Sequence, residues 1–128
     1  MKKILLILML LVVSNSAVAE WVYINKSIDT FYYINPEAIQ KSGNTVKMWI
    51  LGDFIKARKL KNGVINFSIK DQAEYKCKER QNRSNYQVLY TENMGEGEII
   101  HTFDEPGEWT SVIPESAGET HFEFACSK

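Results

Sequence analysis

Few side chains in this sequence carry the chemistry of catalysis at a useful spacing. The histidines are His101 and His121. A serine or cysteine nucleophile needs a base within hydrogen-bond reach, and these two are the candidates near neutral pH. His101 alternates with Ile99 and Phe103, where a half-buried structural histidine is the expected outcome. His121 stands between Glu119 and Glu123. No G-x-S-x-G, H-E-x-x-H or P-loop pattern occurs. Gly95-Glu96-Gly97 is a poor phosphate cradle because its glutamate repels a phosphate, and Asp104-Glu105 reads as a solvated turn. The two cysteines and two scattered histidines fall short of a zinc ligand set. The expectation is a protein with no catalytic residues, no cofactor and no metal: not an enzyme.

Charge offers more than nucleophiles do. The formal net charge of −1 hides a split along the chain. From Lys41 to Arg83 there are eleven basic and four acidic residues; from Ser84 to Ser127 there are nine acidic residues and no Lys or Arg. The candidate binding residues are therefore Lys56, Arg58, Lys59, Lys61, Lys70, Lys76, Lys78, Arg80 and Arg83. A basic surface on the middle strands would meet an acidic protein or a polyanion. The competing reading is a solvated sheet face, since lysines also protect sheet edges. Self-association through the two opposite patches is a further class of partner. Nucleic acid is not expected, because the chain carries an export signal.

That signal occupies residues 1–19. Lys2 and Lys3 precede the apolar run Ile4 to Val13, and Ala17-Val18-Ala19 supplies a cleavage site before Glu20. The run is too short to span a bilayer as a mature helix, so no transmembrane segment is expected in residues 20–128. Those residues make one domain. Export puts Cys77 and Cys126 in an oxidising compartment, and an even count argues for a disulfide between them. The periplasm is the expected address, with the cell surface or the medium as alternatives.

The elements that must position these side chains are mostly strands. Trp21 to Ile24 and Phe31 to Ile34 read as strands, and Asn35 caps a helical turn led by Pro36. Ser42-Gly43-Asn44 is a tight turn. Thr45 to Phe54 is apolar on both faces and so belongs in the middle of a sheet, with Val46, Met48 and Ile50 opposite Trp49 and Leu51. Lys61-Asn62-Gly63 predicts a hairpin. Ile65, Phe67 and Ile69 are expected to face inward and Asn66, Ser68 and Lys70 outward. After a kink at Asp71-Gln72 the same parity places Ala73, Tyr75 and Cys77 inside. Arg80 to Asn85 reads as a polar loop, Tyr86 to Met94 and Glu98 to Phe103 as strands, and Pro106-Gly107 as the end of their hairpin. Ser116 and Glu119 form a capping box for a helix through Cys126. Phe122, Phe124 and Cys126 also alternate as a strand would, but the entry after Pro114 favours the helix. The fold class is α+β, mainly β: a single antiparallel meander of about six strands, with a C-terminal helix packed on it and tied by the disulfide.

Several of these segments together resemble one family. They are Trp21-Val22-Tyr23, Tyr32-Tyr33-Ile34-Asn35, the run Gly43 to Trp49, Ser68-Ile69-Lys70 with Glu74-Tyr75-Lys76-Cys77, Met94-Gly95-Glu96-Gly97, the run Pro106 to Ser116, and the final Cys126. The pattern is similar to the surface-adhesin protein E-like family of Gram-negative bacteria, over the whole mature chain. The resemblance implies a small antiparallel sheet with a helix packed on it and a tie between the two cysteines. It also implies an exported binding protein; the founding adhesin is an outer-membrane lipoprotein that binds vitronectin, laminin and plasminogen. This sequence departs from it in lacking a cysteine at the leader cleavage site. The alternative is a periplasmic structural or assembly protein with no host ligand.

Overall fold

The alternating run that begins at Thr45 extends further than its apolar residues do. In the computed structural model, which describes residues 20–127, it forms β4 (Thr45–Lys59), the longest strand. The expected leader, residues 1–19, lies outside the described residues. Before β4 come β1 (Val22–Lys26), β2 (Thr30–Ile34), a 3-10 turn at Pro36–Ala38 and the short β3 (Gln40–Ser42). After it come β5 (Ile65–Lys76), β6 (Gln81–Tyr90), a 3-10 turn at Asn93–Gly95, β7 (Ile99–Phe103), β8 (Thr110–Ser111) and α1 (Ala117–Cys126). The strands form one antiparallel sheet in the order β1-β2-β4-β5-β6-β7, with β3 also on β4 and β8 also on β6. The expected meander is present, lengthened by these two short strands.

Both short strands arise the same way. The chain runs along β4 as β2, leaves it at Pro36, and rejoins it as β3. It runs along β6 as β7, leaves around Pro106, and rejoins it as β8. Proline has no amide to give a ladder, so it sits where pairing stops. Asn35 caps the first excursion, its Oδ1 accepting from Glu37 N at 3.1 Å. Pro106-Gly107 therefore does not close a hairpin. It bridges two strands on one edge, and Gly107 N returns to Ser84 O at 2.8 Å.

Helix α1 covers one face of the sheet, hereafter the inner face. Ser116 Oγ accepts from Glu119 N at 3.2 Å, and Glu119 Oε1 accepts from Glu115 N at 3.3 Å, one residue before the cap. The helix buries His121, Phe122 and Ala125, spaced to lie on one side. Phe122 and Ala125 pack on Ile34, Val46, Met48, Ile50, Ala73 and Tyr75. Tyr75 and Phe122 meet edge-to-face at 5.9 Å between ring centroids. Cys77 and Cys126 are bonded, with Cα atoms 5.7 Å apart, so the helix end is fastened to the end of β5.

Two strand expectations are corrected. Gln81 to Asn85 is the first half of β6, not a loop. Its residues are polar on both faces, which hid the alternation, but β5 pairs with Gln81 to Ser84 from Lys76 back to Ala73. The strand ends at Tyr90, because the chain then turns through Asn93–Gly95. The irregularity near Gln72 is real but lies in β6: Gln72 pairs with Tyr86 and Ala73 with Ser84, leaving Asn85 as the extra residue.

The second correction concerns the start of β5. Ile65 is 42% exposed, whereas Asn66 and Ser68 are 2% and 0% exposed. The turn at Asn93–Gly95 folds over the outer face here and satisfies both polar side chains. Asn66 Nδ2 donates to Ser68 O (2.7 Å) and Tyr90 O (2.8 Å). Ser68 Oγ donates to Glu92 O and accepts from Gly95 N at 2.9 Å. Polar groups tolerate burial when they are paired in this way.

Candidate functional site

The register of β4, β5 and β6 fixes which side chains share the outer face, opposite the helix. Lys47, Glu74 and Arg83 stand in one cross-strand row. Trp49, Gln72 and Tyr86 form the next. Side chains opposed across an antiparallel pair touch, and Trp49 meets Tyr86 edge-to-face at 5.9 Å. Glu74 Oε1 accepts from Arg83 Nε at 2.9 Å and Nη2 at 2.8 Å, and from Asn85 Nδ2 at 3.2 Å. Burial pushes the Glu74 carboxyl up, but these bonds outweigh it and hold the group below its ordinary value.

Trp109 completes this surface. It comes from the excursion between β7 and β8 and its ring meets two cations, Lys76 Nζ at 4.4 Å and Arg83 at 4.3 Å from the centroid. Beside it an open cleft of about 500 Å³ is lined by Lys47, Trp49, Glu74, Arg83, Tyr86 and Asp104. Half-buried aromatic rings next to fixed charges suit recognition of a partner surface. They offer no nucleophile beside a base.

The nine basic candidates fall into separate groups. Lys56, Arg58, Lys59 and Lys61 lie on the exposed β4–β5 arm. Lys76, Lys78, Arg80 and Arg83 lie at the other end of β5, which at roughly 3.3 Å per residue is about 35 Å away. Arg80 pairs with Glu119 at 3.0 Å and covers the Phe122 ring at 4.8 Å, and so braces the helix. Lys78 borders the disulfide. Lys70 lies between the groups, its Nζ 5.0 Å from the Tyr90 ring and 5.8 Å from Trp21. The structure brings Lys76 and Arg83 together and adds Lys47, a counted charge outside the candidate set, and Trp49, Tyr86 and Trp109, which charge counting misses. Trp49 had a signal, since its parity opposes Val46, Met48 and Ile50. Trp109 had none, because a loop has no periodicity.

The histidines part company. His101 is exposed, not half-buried, because β7 is an edge strand that the helix does not reach; its ring meets Phe103 edge-to-face at 4.4 Å. His121 is buried, with its Nε2 2.8 Å from Asn25 Oδ1 and its ring against Tyr32 at 4.7 Å. Asn25 Nδ2 donates to Ala117 O at 3.4 Å, so its Oδ1 faces the imidazole and Nε2 carries the proton. Burial lowers the His121 pKa to about 4. Among the described residues no cluster of three His, Cys, Asp or Glu could hold a metal ion, and no helix is long and apolar enough to cross a membrane.

This geometry has known counterparts. Solved structures of Haemophilus influenzae protein E share the fold. One, crystal form II, superposes with a TM-score of 0.67 at 15% identity, covering 84% of this chain and 87% of that one. Another, from a non-typeable strain, gives a TM-score of 0.62 at 16% identity, covering 82% and 75%. No curated protein matches the sequence. The sequence profile described as Surface-adhesin protein E matches residues 21–127, nearly all of the fold. On that match, the chain belongs to the surface-adhesin protein E family.

Proposed function

We propose that residues 20–128 form an exported, non-enzymatic binding domain that holds an acidic segment of a host extracellular-matrix or serum protein, or a polyanion, on its outer face. The observation that carries this reading is Trp109 in contact with both Lys76 and Arg83 beside the open cleft. Arg83 is paired with Glu74, so Lys76 and Lys47, which form no salt bridge among the described residues, supply the attracting charge and Trp49 and Trp109 the contact area. Binding to immobilised vitronectin, laminin and heparin tests it. Affinity is expected to fall steeply between low and high salt, as exposed charge pairs do, and Trp109→Ala with Lys76→Glu is expected to remove at least tenfold. A salt-independent signal, or none at micromolar protein, overturns the reading.

A second reading is favoured by β1. This edge strand exposes Val22 and Tyr23, which suits an assembly protein that pairs with a partner strand in the periplasm. Protease treatment of intact cells separates the two. Cleavage while a periplasmic marker survives supports the host-ligand reading; protection until the outer membrane is opened supports periplasmic assembly.

A further inference from the structure

The β4–β5 arm does not belong to the outer-face cleft. Between Phe54 and Ile65 the chain carries Lys56, Arg58, Lys59 and Lys61 and no acidic residue. Every residue from 55 to 65 except Leu60 is exposed. The arm is bent away from the sheet, because Asp53 pairs with Ser68 and Arg58 with Asn66, so four residues of β4 oppose Phe67 alone. The turn between β1 and β2 is fastened against it: Ile55 N donates to Asp29 O at 2.9 Å, and Arg58 pairs with Asp29 at 3.3 Å. That turn presents Ile28, 98% exposed, to the same end of the molecule as Ile55, which is 51% exposed, and Ile65.

We propose that this end of the sheet is a docking tip for an anionic lipid bilayer, with the isoleucines entering the interface and the lysines meeting the headgroup phosphates. The mixture of side chains decides between lipid and a soluble polyanion. A polyanion gains nothing from Ile28, Ile55 and Ile65, whereas apolar burial plus basic charge is what holds a protein at a lipid surface. The charge is available for this. Lys56, Lys59 and Lys61 make no ion pair among the described residues. The nearest acids are committed elsewhere: Asp29 to Arg58, and Asp53 to Met94 N (2.8 Å) and Asn93 Nδ2 (2.9 Å). Glu92, Glu96 and Glu98 lie on the loop that caps the outer face against Phe54, at the base of the arm.

The test is co-sedimentation of the protein, freed of residues 1–19, with vesicles of phosphatidylglycerol and phosphatidylethanolamine, against vesicles of phosphatidylcholine alone. Binding to the anionic vesicles is expected to be at least tenfold tighter. Each lysine near such a surface contributes roughly fivefold, so Lys59→Glu with Lys61→Glu is expected to remove tenfold or more. Ile28→Ser with Ile55→Ser is expected to weaken vesicle binding several-fold while leaving heparin binding unchanged. These four residues lie outside the core, so circular dichroism should show the fold intact. Trp109→Ala should leave vesicle binding as it is, which keeps this proposal separate from the outer-face reading. Equal affinity for both vesicle types, binding to neither, or charge variants that lose binding while the isoleucine variants keep it would each overturn the proposal. The last of these would mark a soluble polyanion site.

Discussion

Gly95 leaves no room for a side chain against Lys70: a Cβ there would lie 2.6 Å from Lys70 Cε. Its φ of +70° is also one that L-residues adopt at a cost. This contact is what lets the Asn93–Gly95 turn lie on the outer face while Lys70 keeps its place over Tyr90. Gly95→Ala should cost slightly more than the backbone strain of about 1 kcal/mol, because the group that must move is the flexible end of Lys70, which then gives up its place over Tyr90. Gly43 has a similar φ of +62° but open space around it, so Gly43→Ala should cost only about 1 kcal/mol. Urea unfolding of the two variants measures the difference. Equal losses would show that the Lys70 contact is immaterial.

The disulfide closes a long loop, with Cys77 and Cys126 lying 49 positions apart in the sequence. Chain entropy puts its contribution at about 4 kcal/mol, a large part of what holds a small domain folded. Cys77→Ser with Cys126→Ser, or reduction of the wild type, should lower the denaturant midpoint accordingly. A midpoint unmoved by reductant would mean that packing of Phe122 and Ala125 alone secures the helix.

Acid should loosen the helix through His121. Burial depresses its folded pKa from 6.5 to about 4, so above pH 6.5 the ring is neutral in both states. Between pH 6.5 and 4 the unfolded chain takes up a proton that the folded one refuses, and stability falls by roughly 3 kcal/mol. Asp71, which lines a pocket between helix and sheet together with His121, acts in the opposite sense: burial raises its pKa, so protonating it favours the fold. His121→Gln keeps a donor for Asn25 and should remove the fall in stability over that window. Unfolding free energies from pH 7 to 4 provide the comparison. A variant whose profile matches the wild type would assign the acid sensitivity to other groups.

Arg83 is the main partner of a nearly buried carboxylate, Glu74. Arg83→Met should cost about 2 kcal/mol by leaving that charge with the Asn85 amide and the more distant Lys47 ammonium. Adding Glu74→Gln should recover most of the loss, because no uncompensated charge then remains. A double variant no more stable than Arg83→Met would point instead to lost packing of the guanidinium on Trp109.

Where a local rule is strong, this chain is legible from its residues alone. The cap at Ser116, the Pro36 turn behind Asn35, the Asn62-Gly63 hairpin and the parity of Val46, Met48 and Ile50 all depend on neighbours within a few positions, and the structure keeps each of them. The pairing of Cys77 with Cys126 followed from there being two cysteines in an exported chain. Other features depend on residues far away in sequence. Asn66 and Ser68 are buried because the chain around Tyr90 to Gly95 brings them partners. Gln81 to Asn85 is a strand because β5 pairs with it, despite its polar faces. Trp109 joins Lys76 and Arg83 because the Pro106 excursion folds it back across the sheet. Periodicity reports which side of an element is apolar. What covers each side depends on long-range pairing, and only the tertiary structure decided that.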